Sequence, residues 1–335
     1  MPPLPSVDLF THVLVAYLIT FGITGLQPGY LAAGALAGGL PDADALLFPL
    51  SKRWPLLRHH GITHSLLGVT VIAIAGAFLA PLILPGSPWI YFVVMEIGGG
   101  AHILQDGFTN FSVPPLAPFS ERKLELDADR AINFFTLIVS VVAFYLLLGV
   151  ERNSVAYSIY LGTLWALAGF FIAYFALRLS ARLYVGRRLH HLGDYDHVVP
   201  TSNPFVWIVI SERKSADRMR TSFARYVFGR GITRGPLTVD VPLESPGPPD
   251  RPITSAEDAL ERSYPLARNS SRFLADSYHF GYVGDDGATG YVVTWYSLEF
   301  GAFGRSAAVD VRFPRGGGTP TVKHAFRRIP TPWTV

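Results

Sequence analysis

The feature that most constrains this chain is a set of long apolar runs almost empty of ionisable side chains. Residues 65–84, 88–97, 131–150 and 155–177 contain a single acid or base among them, Glu96. Charges are costly to hold in a hydrocarbon medium, so runs like these suit contact with lipid. A hydrocarbon layer about 30 Å thick takes roughly 20 apolar residues of helix, and stretches of that kind occur at 65–84, 88–105, 131–150 and 155–177. Residues 9–26 read as a fifth span. Beyond the turn signal Gln27-Pro28-Gly29, residues 30–47 form a sixth piece, rich in small residues and interrupted at Pro41, that crosses wholly or in part. Its Gly34, Gly38 and Gly39 allow helices to approach closely.

Only 16% of the residues are charged, against about 25% in soluble domains, and the deficit is confined to the first part of the chain. From Arg178 onward the sequence reads as ordinary soluble protein. Short β-like runs at 205–210, 290–296 and 307–313 are separated by Gly, Pro, Asn and Asp. Residues 255–276 read as a helix opened by Ser255-Ala256-Glu257-Asp258 and preceded by a linker-like 245–252. The expected fold class is an all-α polytopic membrane helix bundle of four to six spans, followed by a small soluble α+β or mostly β C-terminal domain. The expected domains are 1–185, embedded in the membrane, and 186–335, a tail whose sequence carries no chemical motif.

Basic residues cluster at Lys52, Arg53 and Arg58, at Arg122, Lys123 and Arg130, and at Arg178, Arg182, Arg187 and Arg188. With alternating spans all three clusters share one side, and the excess of Lys and Arg in cytoplasmic loops places that side, with the C-terminal domain, in the cytoplasm. The expected location is therefore the inner or plasma membrane, multi-pass. The net charge of +3 is small and sits beside the spans, so no nucleic-acid partner is expected. The chain has no Cys, which excludes a disulfide framework and thiolate metal ligands and leaves His and carboxylates for any metal. The N-terminus lacks a basic leader region and carries Asp8 and His12 where an apolar core would begin, so no cleaved targeting segment is expected.

Ionisable residues at the edges of apolar runs point to function, and here they share a theme. Asp8 and His12 open the first run, Asp42 and Asp44 close the second, His59, His60 and His64 precede the third, and His102 and Asp106 close the fourth. Six crossings would gather all of them at the cytoplasmic face. His102 and Asp106, four residues apart, share one face of a helix. In His59-His60-Gly61-Ile62-Thr63-His64-Ser65 the glycine frees the backbone, and Thr63 or Ser65 can cap the following helix. The expected metal ligands are drawn from His12, Asp42, Asp44, His59, His64, His102 and Asp106. Neutral imidazole with carboxylate suits zinc, manganese or iron better than magnesium. For Asp8 the expected role is a helix N-cap, for His190, His191 and His197 an ordinary surface or helix-end role, and for Glu96 a hydrogen bond between helices.

The order and context of these residues resemble the YdjM-like, or LexA-binding, family of inner-membrane metal-dependent hydrolases. The matching segments are His12, Pro41-Asp42-Ala43-Asp44, His59 to Ser65, and His102-Ile103-Leu104-Gln105-Asp106, and the similarity covers about residues 8–177. Ala45 stands where the family often has His, His60 where it has Arg, and the family's later Pro-Phe-Ser segment is matched only in part at 114–120. A more distant likeness is to helical zinc-dependent phospholipase C and related nucleases, whose further His and His-x-x-x-Glu have no counterpart here.

The resemblance implies a membrane-bound hydrolase in which a divalent metal activates water against a phosphoester or lipid-type substrate, with membrane lipid as its surroundings. Asp42 and Asp106 are the expected catalytic carboxylates, and zinc is the first expectation for the metal, manganese or iron the next. Two other readings stand beside it: a transporter of divalent metal or protons, for which Glu96 within a run would matter, and a non-catalytic scaffold whose C-terminal domain binds a protein partner through Phe205, Trp207 or Trp295.

Overall fold

A computed structural model describes residues 8–47, 61–130, 133–148, 154–192, 195–244, 247–248, 250–271, 274, 279–285, 290–302, 305–314 and 316–328. The chain divides into two compact units, Met1–Ala181 and Arg182–Val335.

The first unit is helical. Asp8 caps α1 (Leu9–Thr24) by accepting from the Thr11 amide at 3.1 Å. At the other end Gly25, at φ 65°, lets the chain turn out of the helix while its N–H returns to the Phe21 carbonyl. Pro28 opens α2 (Pro28–Gly39), where its missing N–H costs nothing. Pro41 then begins a 3-10 segment (Pro41–Leu47), and a second short one covers Ile62–His64. Ser65 caps α3 (Leu66–Leu79), and α4 (Pro88–Phe108), α5 (Phe134–Leu148) and α6 (Ser154–Leu192) follow.

Helix α2 packs against α1 and α4, and α3 packs against α4. Leu14, Leu18, Phe21, Leu31, Ala143, Leu164 and Phe171 form one apolar core and Tyr30, Ala33, Ala37, Ala73, Tyr91, Val94 and Met95 another. The approach of α1 to α2 depends on Gly38, where a Cβ would lie 2.5 Å from the Ala16 Cβ and 2.8 Å from the His12 carbonyl oxygen. Gly98 does the same for α4 against α2, its Cβ position being 2.5 Å from the Gly34 carbonyl oxygen.

The expected bundle of four to six membrane spans is not what the structure contains. Among the described residues one helical stretch, Tyr157–His190, is long and apolar enough to cross a membrane, and the second unit holds two four-stranded antiparallel sheets. The physical reason lies in the ends of the other helices. Capping by Asp8 and Gly25 limits α1 to 16 residues, or about 24 Å at 1.5 Å per residue. The run at 65–84 stops being α-helical at Leu79, with Pro81 in a 3-10 turn, and α5 has 15 residues. Helix α4 is longer, but its last turns carry His102, Gln105 and Asp106. Leu66, Val71, Ile74 and Phe78 on α3, and Phe135, Ile138, Val142 and Leu146 on α5, are exposed. Apolar faces of this kind are rare on monomeric soluble proteins.

In the second unit β1 (His197–Pro200), β2 (Val206–Lys214), β3 (Arg218–Val227) and β4 (Gly231–Pro242) form one sheet in sequential order. After α7 (Ala256–Ser270), β5 (His279–Asp285), β6 (Gly290–Ala302), β7 (Arg305–Pro314) and β8 (Thr321–Arg328) form the other. Met219 and Val241 of the first sheet share a core with Ala259, Tyr264 and Ala267 of α7 and Val293, Trp295, Val309 and Phe313 of the second. Trp207 and Trp295 are completely buried, so packing accounts for both, whereas Phe205 is 50% exposed.

Candidate metal centre

Two adjacent turns and one helix end bring the polar residues of the first unit together. His102 and Asp106 lie on successive turns of α4, and their Nε2 and Oδ2 atoms are 3.3 Å apart. Asp42 enters from the first 3-10 segment, with Oδ1 3.8 Å from His102 Nε2 and 3.5 Å from His64 Nε2. His64, at the end of the second 3-10 segment, also faces Asp106 Oδ2 at 3.4 Å through Nε2. Ser65 fixes that turn, donating to the Ile62 carbonyl at 2.6 Å while accepting from the Gly68 amide. One ligand atom from each of Asp42, His64, His102 and Asp106 lies within 4.8 Å of all the others, a group able to hold a metal ion. Asp42 keeps 11% of its side chain exposed, and the other three are buried.

Hydrogen bonds behind the imidazoles decide which nitrogen each presents. A carbonyl can only accept, so the 2.8 Å contact of His102 Nδ1 with the Gly38 carbonyl makes Nδ1 the protonated atom and leaves the Nε2 lone pair facing the group. Nε2 of His102 and Oδ2 of Asp106 are buried and make no hydrogen bond among the described residues, an arrangement a cation would satisfy. His64 is held in the same sense. Its Nδ1 is 3.3 Å from Asp44 Oδ2 and 3.1 Å from Thr63 Oγ1, and the Thr63 hydroxyl donates to the same Asp44 oxygen at 2.5 Å.

Without a metal, burial disfavours the charged imidazole of His64, but its hydrogen bonds to Asp42 and Asp44 outweigh burial and raise its pKa to about 9. Burial likewise pushes the Asp42 carboxyl up, and the His64 hydrogen bond with the charges of His102 and His12 brings it below its ordinary value.

The expected residues thus occupy three kinds of place. Asp42, His64, His102 and Asp106 converge. Asp44, fixed behind His64, and His12, whose Nε2 lies 3.3 Å from Asp106 Oδ1 and whose ring packs on His102 at 4.2 Å between centroids, support them from the side. His59, with His60, Lys52, Arg53 and Arg58, lies outside the described residues. Asp8 is an N-cap that also accepts from Thr136 Oγ1 at 2.9 Å, and Glu96 on α4 accepts from Thr70 on α3 at 2.9 Å.

A pattern of this order, His12 on α1, Asp42 and Asp44 after α2, His64 before α3 and His102 with Asp106 on α4, can be compared with known families. Residues 7–185, more than half of the chain, match the model of the YdjM inner membrane protein family. The chain belongs to that family. The YdjM match includes every member of the converging group and ends beside the last turns of α6. It makes the protein a membrane-associated one, in keeping with the apolar outer faces of α3 and α5. No curated protein and no solved structure matches the chain.

One part of the YdjM region escaped the sequence reading. Asp129 accepts from Arg178 Nη2 at 2.9 Å, Asn133 Nδ2 at 2.8 Å, Tyr174 Oη at 2.6 Å and the Arg130 amide at 2.8 Å, and Arg178 is completely buried. In the sequence Arg130 and Arg178 read as orientation charges. The available signal was the Tyr174–Arg178 spacing of four, which puts a phenol and a guanidinium on one face of α6. A cleft beside this network is lined by Asp8, His12, Gln105, Arg130, Thr136 and Phe175.

Proposed function

We propose that the protein is a membrane-bound metal-dependent hydrolase that acts on a phosphoester or lipid-type substrate at the cytoplasmic membrane face. The observation that carries this reading is the convergence of Asp42, His64, His102 and Asp106 with the His102 lone pair turned inward. These four would hold the ion. Two imidazoles with two carboxylates suit zinc first, with manganese or iron as alternatives. A bound divalent ion supplies Lewis acidity, lowering the pKa of water to near 7 and polarising the scissile bond.

The chain's own groups then have distinct tasks. Asp44 and Thr63 hold His64 in the orientation that turns Nε2 toward the group, and the Gly38 carbonyl does so for His102. Asp42, the member of the four that keeps contact with solvent, accepts the proton of the attacking water as general base. Asp106 would hold the opposite side, with its Oδ1 3.3 Å from His12 Nε2. Arg130 lines the cleft that reaches His12, and its charge is engaged with Asp129. Transport would call for ligands spread along a path, and Glu96 is engaged with Thr70.

The test is metal content by mass spectrometry of detergent-purified wild type beside His64→Ala and His102→Ala, followed by assay on a chromogenic phosphodiester. The expected result is about one ion per chain, lost from both variants together with turnover. Full metal retention in both variants would remove the proposal.

A further inference from the structure

The end of α6 and one hairpin of the second unit make a surface that packing does not explain. Tyr184, on the penultimate turns of α6, contacts Phe228 at 4.6 Å between ring centroids, and Phe228 contacts Phe205 at 6.3 Å. The Phe228 amide donates to the Phe205 carbonyl at 2.8 Å, so the two phenylalanines are set side by side by backbone. All three rings stay open to solvent, at 37%, 40% and 50% exposure for Tyr184, Phe228 and Phe205, while Trp207, two residues beyond Phe205, is completely buried. Arg188 contacts one of the rings, and Arg187 and Arg230 lie close to them in sequence. Arg188 donates from Nε to the Tyr184 hydroxyl at 3.3 Å, and Arg187 and Arg230, the latter at the β3–β4 turn, are exposed.

Position along the chain decides what such a surface meets. Residues 157–177 of α6 carry no acid or base; their rise, about 31 Å, matches a hydrocarbon layer. Arg178 ends that run, and Tyr184 follows Leu177 by about 10 Å of helix rise. Aromatic rings with basic residues just beyond an apolar helix are the chemistry of the headgroup layer, where rings sit at the boundary and arginines pair with lipid phosphates.

We propose that the β3–β4 turn, Phe205 and the last turns of α6 form an anchor for an anionic bilayer surface. Its partner is the phosphate headgroup layer of the membrane that α6 enters. The anchor is independent of the metal centre.

The chain has no Cys, so single reporters can be placed. Thr233→Cys, on the exposed start of β4, and Thr254→Cys, on an exposed segment before α7, each carry a fluorophore in the full chain reconstituted into vesicles. The vesicles are phosphatidylcholine alone or mixed with phosphatidylglycerol, with headgroup-depth quencher lipids. The expected result is quenching at Thr233→Cys and not at Thr254→Cys, stronger in the anionic vesicles. In the mixed vesicles, Arg230→Gln should weaken it about fivefold, and Phe205→Ser with Phe228→Ser should abolish it. Arg230 is exposed at a turn, so its substitution leaves the fold intact and a lost signal reads the surface. No quenching in either vesicle, equal quenching in both, or shielding of the reporter by a co-purifying protein in detergent overturns the proposal.

Discussion

Two buried polar clusters among the described residues of the first unit solve the problem of buried carboxylates in opposite ways. Around Asp129 the chain supplies its own cation, Arg178, and fills the remaining acceptor positions with Tyr174, Asn133 and the Arg130 amide at 2.6–2.9 Å. Around Asp106 and Asp42 it supplies imidazoles at 3.3–3.8 Å, with the His102 lone pair facing inward. The Asp129 cluster carries its own counter-charge and serves the fold. The other brings together a group able to hold a metal ion. Separation of stability from ligand binding is therefore the property to test.

The largest effect belongs to the closed cluster. Arg178→Ala removes the guanidinium paired directly with buried Asp129, which costs about 3–5 kcal/mol, and thermal or denaturant unfolding in detergent should show that loss while the metal content per folded chain is unchanged. A variant as stable as wild type would show that the two clusters do not differ in this respect. Next, Asp44→Asn keeps the size of the group behind His64 and removes its charge. Metal affinity should fall about 10–100-fold with little change in unfolding, measured by competition with a chelator; unaltered affinity would mean that Asp44 does not orient His64.

The smallest effect is set by pH. The His64 pKa near 9 exceeds the ordinary 6.5, so its charged contacts stabilise the metal-free fold fully below pH 6.5. That contribution disappears as pH rises through 9. A metal must displace the same proton, so affinity should weaken up to about tenfold per pH unit below 9. Calorimetric titration in buffers of different ionisation enthalpy should count about one proton released at pH 7 and almost none above pH 9. Equal release at both would break the link between His64 and the site.

The sequence made the helix-borne part of the site legible and the turn-borne part less so. His102 and Asp106 repeat at a helical spacing, so their shared face follows from periodicity alone. Asp42 and Asp44 lie on a 3-10 segment with three residues per turn, and residues two apart there diverge; one faces the converging group and the other the back of His64. Nothing in residue type reveals that the Gly38 backbone carbonyl sets the His102 tautomer. The span count failed for a related reason. Hydropathy sums residues across Gly25 and Pro81 without knowing that helices end there, so runs of adequate length become helices of 16 and 14 residues. Arg178 was misread because a basic residue after an apolar run looks alike whether it meets water or a buried aspartate.

The contact of Gly38 with His102 also ties the chemistry of the converging group to the packing of α2. This helix donates no side chain to the converging group, yet its Gly38 carbonyl selects which His102 nitrogen is free. The nitrogen that His102 turns toward the converging group is thus set by how α2 packs on α4, through backbone and not through a side chain of α2.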